Sequence, residues 1–288
     1  MTENRIVLKL EDLSLYILKD GKETPILKNI NLEIREQERW AIAGASGAGK
    51  SMTMYALTSL LPEKNTRISG KIQYLEPDGS YTDILTLPFE KRIAYCSKKT
   101  SLIFQDSINA LNPYEKIGRQ WGETVALRHP EMKKQERIWH ISDRLQLFGI
   151  TDPQVIRKYP HQLSGGMRQR IAIAMSLESD ASILIADEPT TSLDALNQRR
   201  IVRFIQQLCT DRKLTLLYIS HNLALLDDIC THVAILQHGM LIEKGTREIL
   251  HHPSHLYTRE LIEETRKHRS CRRKGGIRCR ISFWKSAI

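Results

Sequence analysis

Gly44-Ala45-Ser46-Gly47-Ala48-Gly49-Lys50-Ser51 follows the apolar run Trp40-Ala41-Ile42-Ala43 and opens a stretch of helical character. Successive backbone N–H groups wrap phosphate oxygens only where side chains do not block approach, which is what the glycines permit. A helix starting at the loop adds its positive end. Strand, glycine loop and helix in that order make a phosphate cradle, with Lys50 expected on the β/γ-phosphates of a nucleotide and Ser51 on magnesium. Alone, the loop says nucleotide and no more. The helix is expected from Ser51 to Leu61, where Pro62 ends it.

Downstream, Ile183-Leu184-Ile185-Ala186 is a fully apolar run ending in Asp187-Glu188. Such a run reads as a strand buried on both faces of a sheet, with its carboxylates delivered at one end. A carboxylate there can coordinate magnesium and its neighbour can polarise an attacking water, so Asp187 is assigned to the metal and Glu188 to the base. A surface acidic pair is the bland alternative. Shortly before it stands Leu163-Ser164-Gly165-Gly166-Met167, a serine and two glycines at an expected helix start and therefore a second anion site, or simply a capped turn.

Around these motifs, residues 5–10 and 30–34 alternate apolar and polar side chains on either side of Asp20-Gly21, the pattern of an antiparallel pair. Helices are expected at Trp121–Leu127, Gln135–Phe148 and Gln154–Lys158, within an insertion over about 106–165. After it, Ile183–Ala186, Leu214–Ser220 and Val233–Gln237 are short apolar runs. They are separated by a helix whose Ile201, Phe204, Ile205 and Leu208 keep the i, i+3, i+4, i+7 spacing. Strands alternating with helices imply a parallel sheet.

Composition narrows the function classes. Of 43 Lys and Arg, nine lie in residues 265–288 with no Asp or Glu among them, so the rest of the chain carries 34 positive against 33 negative charges. That argues against a basic nucleic-acid face on the folded part and leaves a cationic tail, 265–288, read as disordered or as touching an anionic membrane surface. The longest apolar runs fall far short of the roughly 20 residues that cross a bilayer. Five cysteines, Cys96, Cys209, Cys230, Cys271 and Cys279, show no paired ligand spacing and read as reduced thiols. Apart from His221, the histidines, including His251-His252, read as surface or structural residues, and none is expected to form a metal set.

Leu163-Ser164-Gly165-Gly166 resembles the signature of the ATP-binding cassette (ABC) ATPases, and the other motifs fall into that family's order. The resemblance implies an α/β fold: a RecA-like parallel-sheet core, an N-terminal antiparallel β subdomain and an inserted helical subdomain, together spanning 1–264. It also implies a head-to-tail dimer, with ATP between Gly44, Ala45, Ser46, Gly47, Ala48, Gly49, Lys50, Ser51 and Met52 of one protomer and Ser164, Gly165 and Gly166 of the other. Gln105, in Ile103-Phe104-Gln105-Asp106, looks like the family's glutamine that touches magnesium and water. His221 looks like the switch histidine at the γ-phosphate. Asp194 resembles the dimer-contact aspartate, though it equally suits an N-cap for the next helix. Tyr16 is the candidate for stacking on adenine, or else a strand residue packed in its sheet.

Leu163–Arg170, with Met167, is similar to the ATPase subunits of peptide and nickel importers, as are Leu111-Asn112-Pro113, Gly245–Glu248, His252-Pro253 and Tyr257-Thr258. This similarity implies an ATP-hydrolysing energy subunit, peripheral on the cytoplasmic face of the membrane, for import of nickel, metal chelates or di- and oligopeptides. Its implied partners are a second ATPase subunit, like or unlike, two permease subunits and, indirectly, an extracytoplasmic solute-binding protein. A groove near Gln105 and Leu111–Tyr114 is expected to meet the permease. An exporter cassette, or a soluble ABC ATPase acting in translation or DNA maintenance, are the alternatives.

Overall fold

Asp20 and Gly21 take φ of 52° and 72°, the left-handed values a two-residue hairpin turn requires, and join β1 (Ile6–Lys19) to β2 (Lys22–Arg35). The computed structural model of the chain describes residues 5–105, 111–179, 181–190 and 195–273. Both strands run well past the stretches whose alternation marked them. With β4 (Thr66–Leu75) and β5 (Tyr81–Asp83) they form an antiparallel sheet in the order β2-β1-β4-β5.

The second sheet starts at β3 (Arg39–Ala43), which feeds the glycine loop and helix α1 (Lys50–Leu57). After α2 (Phe89–Lys99) come β6 (Thr100–Ile103) and the helices α3 (Ile117–Arg128), α4 (Lys134–Leu147) and α5 (Gly165–Ser176). The chain then alternates through β7 (Ile183–Asp187), α6 (Ala195–Asp211), β8 (Thr215–Ile219), α7 (Leu223–Ile229), β9 (His232–Gln237) and β10 (Met240–Thr246), and closes with α8 (Leu256–Arg273). The sheet order is β10-β9-β3-β8-β7-β6, parallel from β9 to β6, with β10 antiparallel at the edge. The parallel core, antiparallel sheet and helical insertion are those the sequence implied.

Two apolar cores face the parallel sheet from opposite sides, and strand alternation sorts residues between them. Ile183 and Ile185 of β7, with Leu217 and Ile219 of β8, join β1, β2 and α1, whereas Leu184, Ala186, Leu216 and Tyr218 join the cluster built with α3 to α7. Every residue of β7 and β8 is buried. This parity matters for the site, because Asp187 is next after Ile183 and Ile185 and so emerges on the α1 side.

Three local expectations are corrected. Helix α1 stops at Leu57, not Leu61: Thr58 Oγ1 takes the Met54 carbonyl at 2.9 Å, Tyr74 Oη takes that of Leu57 at 2.8 Å, and Ser59 turns to φ 55°. Side chains thus satisfy the helix end before Pro62 can act. Gln154–Lys158 is a 3₁₀ turn over Pro153–Arg157, with Asp152 Oδ1 accepting the Gln154 amide at 2.9 Å. Residues 266–273, expected to lack regular structure, continue helix α8, whose Thr258 and Ile262 are buried against the core and nucleate a helix that then propagates. The remainder of the cationic tail, 274–288, lies outside the described residues, as does Asp194.

Candidate active site

Parallel strands place all their C-terminal ends on one edge, and in open α/β sheets that edge is where ligands bind. Here the edge collects Gly44 after β3, Gln105 after β6, Glu188 after β7 and His221 after β8. Four positions spread over more than a hundred residues meet because their strands are neighbours.

Two glycines are sterically required in the loop. A Cβ on Gly44 would lie 2.3 Å from the Leu236 carbonyl oxygen, and one on Gly49, at φ 103°, would lie 2.7 Å from Leu27 Cδ2. The loop is therefore clamped between β9 and β2 with its backbone bare. Lys50 is buried, and its ammonium donates to the carbonyls of Gly44 and Ala45 at 2.9 and 2.8 Å. Burial holds its pKa below the usual lysine range, against the pull of the Glu188 and Asp187 carboxylates. Ala45, Ser46 and Gly47 form the exposed crest of the loop, and Ala48 and Gly49 its buried base; Met52 is half-buried in the first turn of α1.

Ser51 bonds the Asp187 carboxylate, as strand parity anticipates, while Asp187 Oδ1 is buried with no hydrogen-bond partner. Burial pushes the Asp187 pKa up, and the Ser51 bond opposes that. A serine hydroxyl beside a buried carboxylate with an unanswered oxygen is a hard-oxygen donor set, and it fits a magnesium ion. Glu188 has φ 44°, a left-handed value unusual for a side chain with a Cβ, and its amide is held by the Ile219 carbonyl at 2.9 Å. Its carboxylate meets His221 Nδ1 at 2.7 Å and Gln105 Nε2 at 3.4 Å. Glu188, His221 and Gln105 therefore form one cluster at the mouth of the edge.

Ser164 stands apart from that cluster. It caps α5, its Oγ accepting the Met167 amide at 3.3 Å, and it is exposed. A Cβ built on Gly165 or Gly166 meets nothing within 4 Å, and neither residue has a positive φ. Among the described residues, no steric demand calls for glycine at either position. Farther along α5, buried Gln169 donates to the Pro189 carbonyl at 2.7 Å, which couples this helix to the residue after Glu188. Tyr16 lies in β1 with the Arg67 guanidinium 4.2 Å from its ring centroid.

Sequence reasoning missed one contact at the loop: the Ala45 amide donates to the Tyr257 hydroxyl of α8 at 3.0 Å. In the sequence Tyr257 stands out only as part of a resemblance, and no local pattern signals a partner so distant in the chain. Among the described residues, no helix is long and apolar enough to cross a membrane.

A family model for ABC transporters matches residues 27–191. The chain is 35% identical over 259 residues to the dipeptide transport ATP-binding protein DppD of Bacillus subtilis, covering 89% of this chain and 76% of that protein. It is 33% identical over 255 residues to the metal-staphylopine import system ATP-binding protein CntD of Staphylococcus aureus, covering 88% and 92%. Among solved structures, cbiO1 from Clostridium perfringens superposes with a TM-score of 0.71 at 23% identity, covering 93% of this chain and 99% of that one. The ADP- and phosphate-bound dimer of the cassette MJ0796 gives 0.69 at 22%, covering 83% and 98%. These two likenesses speak to the fold. Together with the motif order along the sheet edge, the family model and the relatives place this chain in the ABC transporter family, as an ATP-binding subunit.

Proposed function

We propose that the chain is the ATP-hydrolysing, energy-coupling subunit of an import complex for peptides, nickel or metal chelates. It would work on the cytoplasmic face of the membrane with a second ATPase subunit, two permease subunits and, indirectly, a solute-binding protein. The observation that carries the reading is the pairing of a nearly complete hydrolytic cluster with a serine–glycine turn whose two glycines meet no steric demand among the described residues. The relatives named for dipeptide and metal-staphylopine transport support the importer branch.

In this reading the bare loop from Gly44 to Lys50 takes the phosphates, and Lys50 trades a loop carbonyl for a phosphate oxygen. Ser51, Asp187 and Gln105 would hold magnesium, which when bound offsets charge on the phosphates. Glu188 orients and deprotonates water, and His221, already on its carboxylate, extends toward the γ-phosphate and holds charge there. Ser164, Gly165 and Gly166 serve the nucleotide of a facing subunit, where a missing Cβ lets backbone amides approach oxygen. Tyr16 is the adenine platform, with one ring face already covered by Arg67.

Gly166→Leu tests the facing-subunit role. It should leave the monomer's melting transition within about 0.5 kcal/mol of wild type, since the new side chain points into open space. It should also abolish ATP-dependent dimerisation in light scattering; a variant that still dimerises with ATP removes the signature turn from the interface.

A further inference from the structure

We propose that His129, His140 and Glu178 form a second cation site, for a zinc-like divalent transition metal, inside the helical insertion and separate from the nucleotide edge. The three residues come from the C-terminal end of α3, the middle of α4 and the turn after α5. Packing brings one ligand atom of each to within 4.8 Å of the others. Nothing in this site depends on nucleotide.

The donor atoms are unusually placed for a mere hydrogen-bond network. His129 Nε2 is buried and has no partner, while its Nδ1 faces Glu131 Oε1 at 3.6 Å. A carboxylate behind the far nitrogen is how metal-binding imidazoles are usually oriented. Glu178 is 1% exposed, and its two oxygens are already aimed: Oε1 accepts Trp121 Nε1 at 2.7 Å and Oε2 meets His140 Nε2 at 2.7 Å. Two imidazoles and a carboxylate suit zinc, nickel, cobalt or copper, whereas magnesium and calcium prefer an all-oxygen set. The two imidazole side chains are about one-fifth exposed, leaving an approach for the ion and a position for water.

Binding has a defined balance. The His140–Glu178 bond is shorter than the spacing of two ligands around one ion, so it opens on metal entry, and His140 binds as the other neutral tautomer, its Nε2 proton leaving to solvent while Nδ1 takes one up. Arg144 Nε, 3.5 Å from His140 Nε2 and 4.0 Å from Glu178 Oε1, swings outward, its side chain being partly exposed. The bound ion would then tie the far end of α5, which begins at the serine–glycine turn, to α3 and α4.

The test uses the full chain, stripped of metal and titrated with zinc by calorimetry and with cobalt by visible absorption, magnesium being in excess. Wild type should take up one equivalent, show the intense d–d bands of low-coordinate cobalt, and melt at higher temperature with zinc. His129→Gln should bind about tenfold more weakly or worse, since a ligand is lost. His129→Ala/His140→Ala should lose both the bands and the zinc-dependent rise. Equal isotherms for wild type and the double variant overturn the site, as does a cobalt spectrum that stays octahedral or shows thiolate charge transfer. Should the double variant not fold, His129→Gln decides alone, because its Nε2 makes no bond in the metal-free protein.

Discussion

Glu76, just past the end of β4, accepts Tyr95 Oη at 2.6 Å, Lys99 Nζ at 2.8 Å and Thr82 Oγ1 at 2.8 Å, and Lys99 first, then Tyr95, draws its pKa below the usual carboxylate range. Asp187, at the end of β7, is more deeply buried, keeps Oδ1 without a partner and has its pKa raised by that burial. The surroundings of Glu76 answer its charge with donors, as they do for Glu11 with Lys9 and Lys71, and for Glu23 with Arg67. The parallel edge leaves its charges short. Lys50 leans on two carbonyls, Asp187 Oδ1 lacks a donor, and Glu188 sits at a strained φ. A carboxylate that the fold satisfies holds structure together, and one that it leaves wanting is kept for something that arrives.

That contrast breaks most sharply at Glu188. Replacing it with Gln preserves the shape of the cluster and removes only the ability to take a proton. Steady-state ATP turnover should fall by about 10²- to 10⁴-fold while ATP binding persists; unchanged hydrolysis would discard the base assignment. A smaller effect of opposite sign is expected from Asp187→Asn in the nucleotide-free protein. Removing a buried, half-satisfied charge should raise stability by about 1–2 kcal/mol in urea melts without magnesium, and a loss instead would mean that Asp187 is structurally satisfied. Glu76→Gln should do least. At neutral pH it should cost at most about 1 kcal/mol, because the group is partly exposed and solvent screens it. The folded pKa of Glu76 is depressed, so its contribution is present above the unfolded carboxyl range and disappears as pH falls through the folded value. Melting temperatures of wild type and variant should therefore converge in acid, and a gap that persists there would trace to lost packing.

Much of the edge is legible in the sequence because its determinants are local. Bare amides need glycine, a doubly buried strand needs an unbroken apolar run such as Ile183–Ala186, and carboxylates must follow directly. What escaped was set by packing across the chain. Helix α1 ends early because Tyr74, in a different sheet, takes the Leu57 carbonyl. His129 and His140 carried no recognisable ligand spacing, since the residue that completes their group, Glu178, arrives from the far end of α5. Tyr257 likewise reaches Ala45 across 212 residues of sequence.

The hydroxyl of Tyr257 ties helix α8 to the glycine loop. It accepts the amide of the loop's second residue, and the same helix carries the first part of the cationic segment out to Arg273. An oxygen that takes the Ala45 amide has to displace that hydroxyl first.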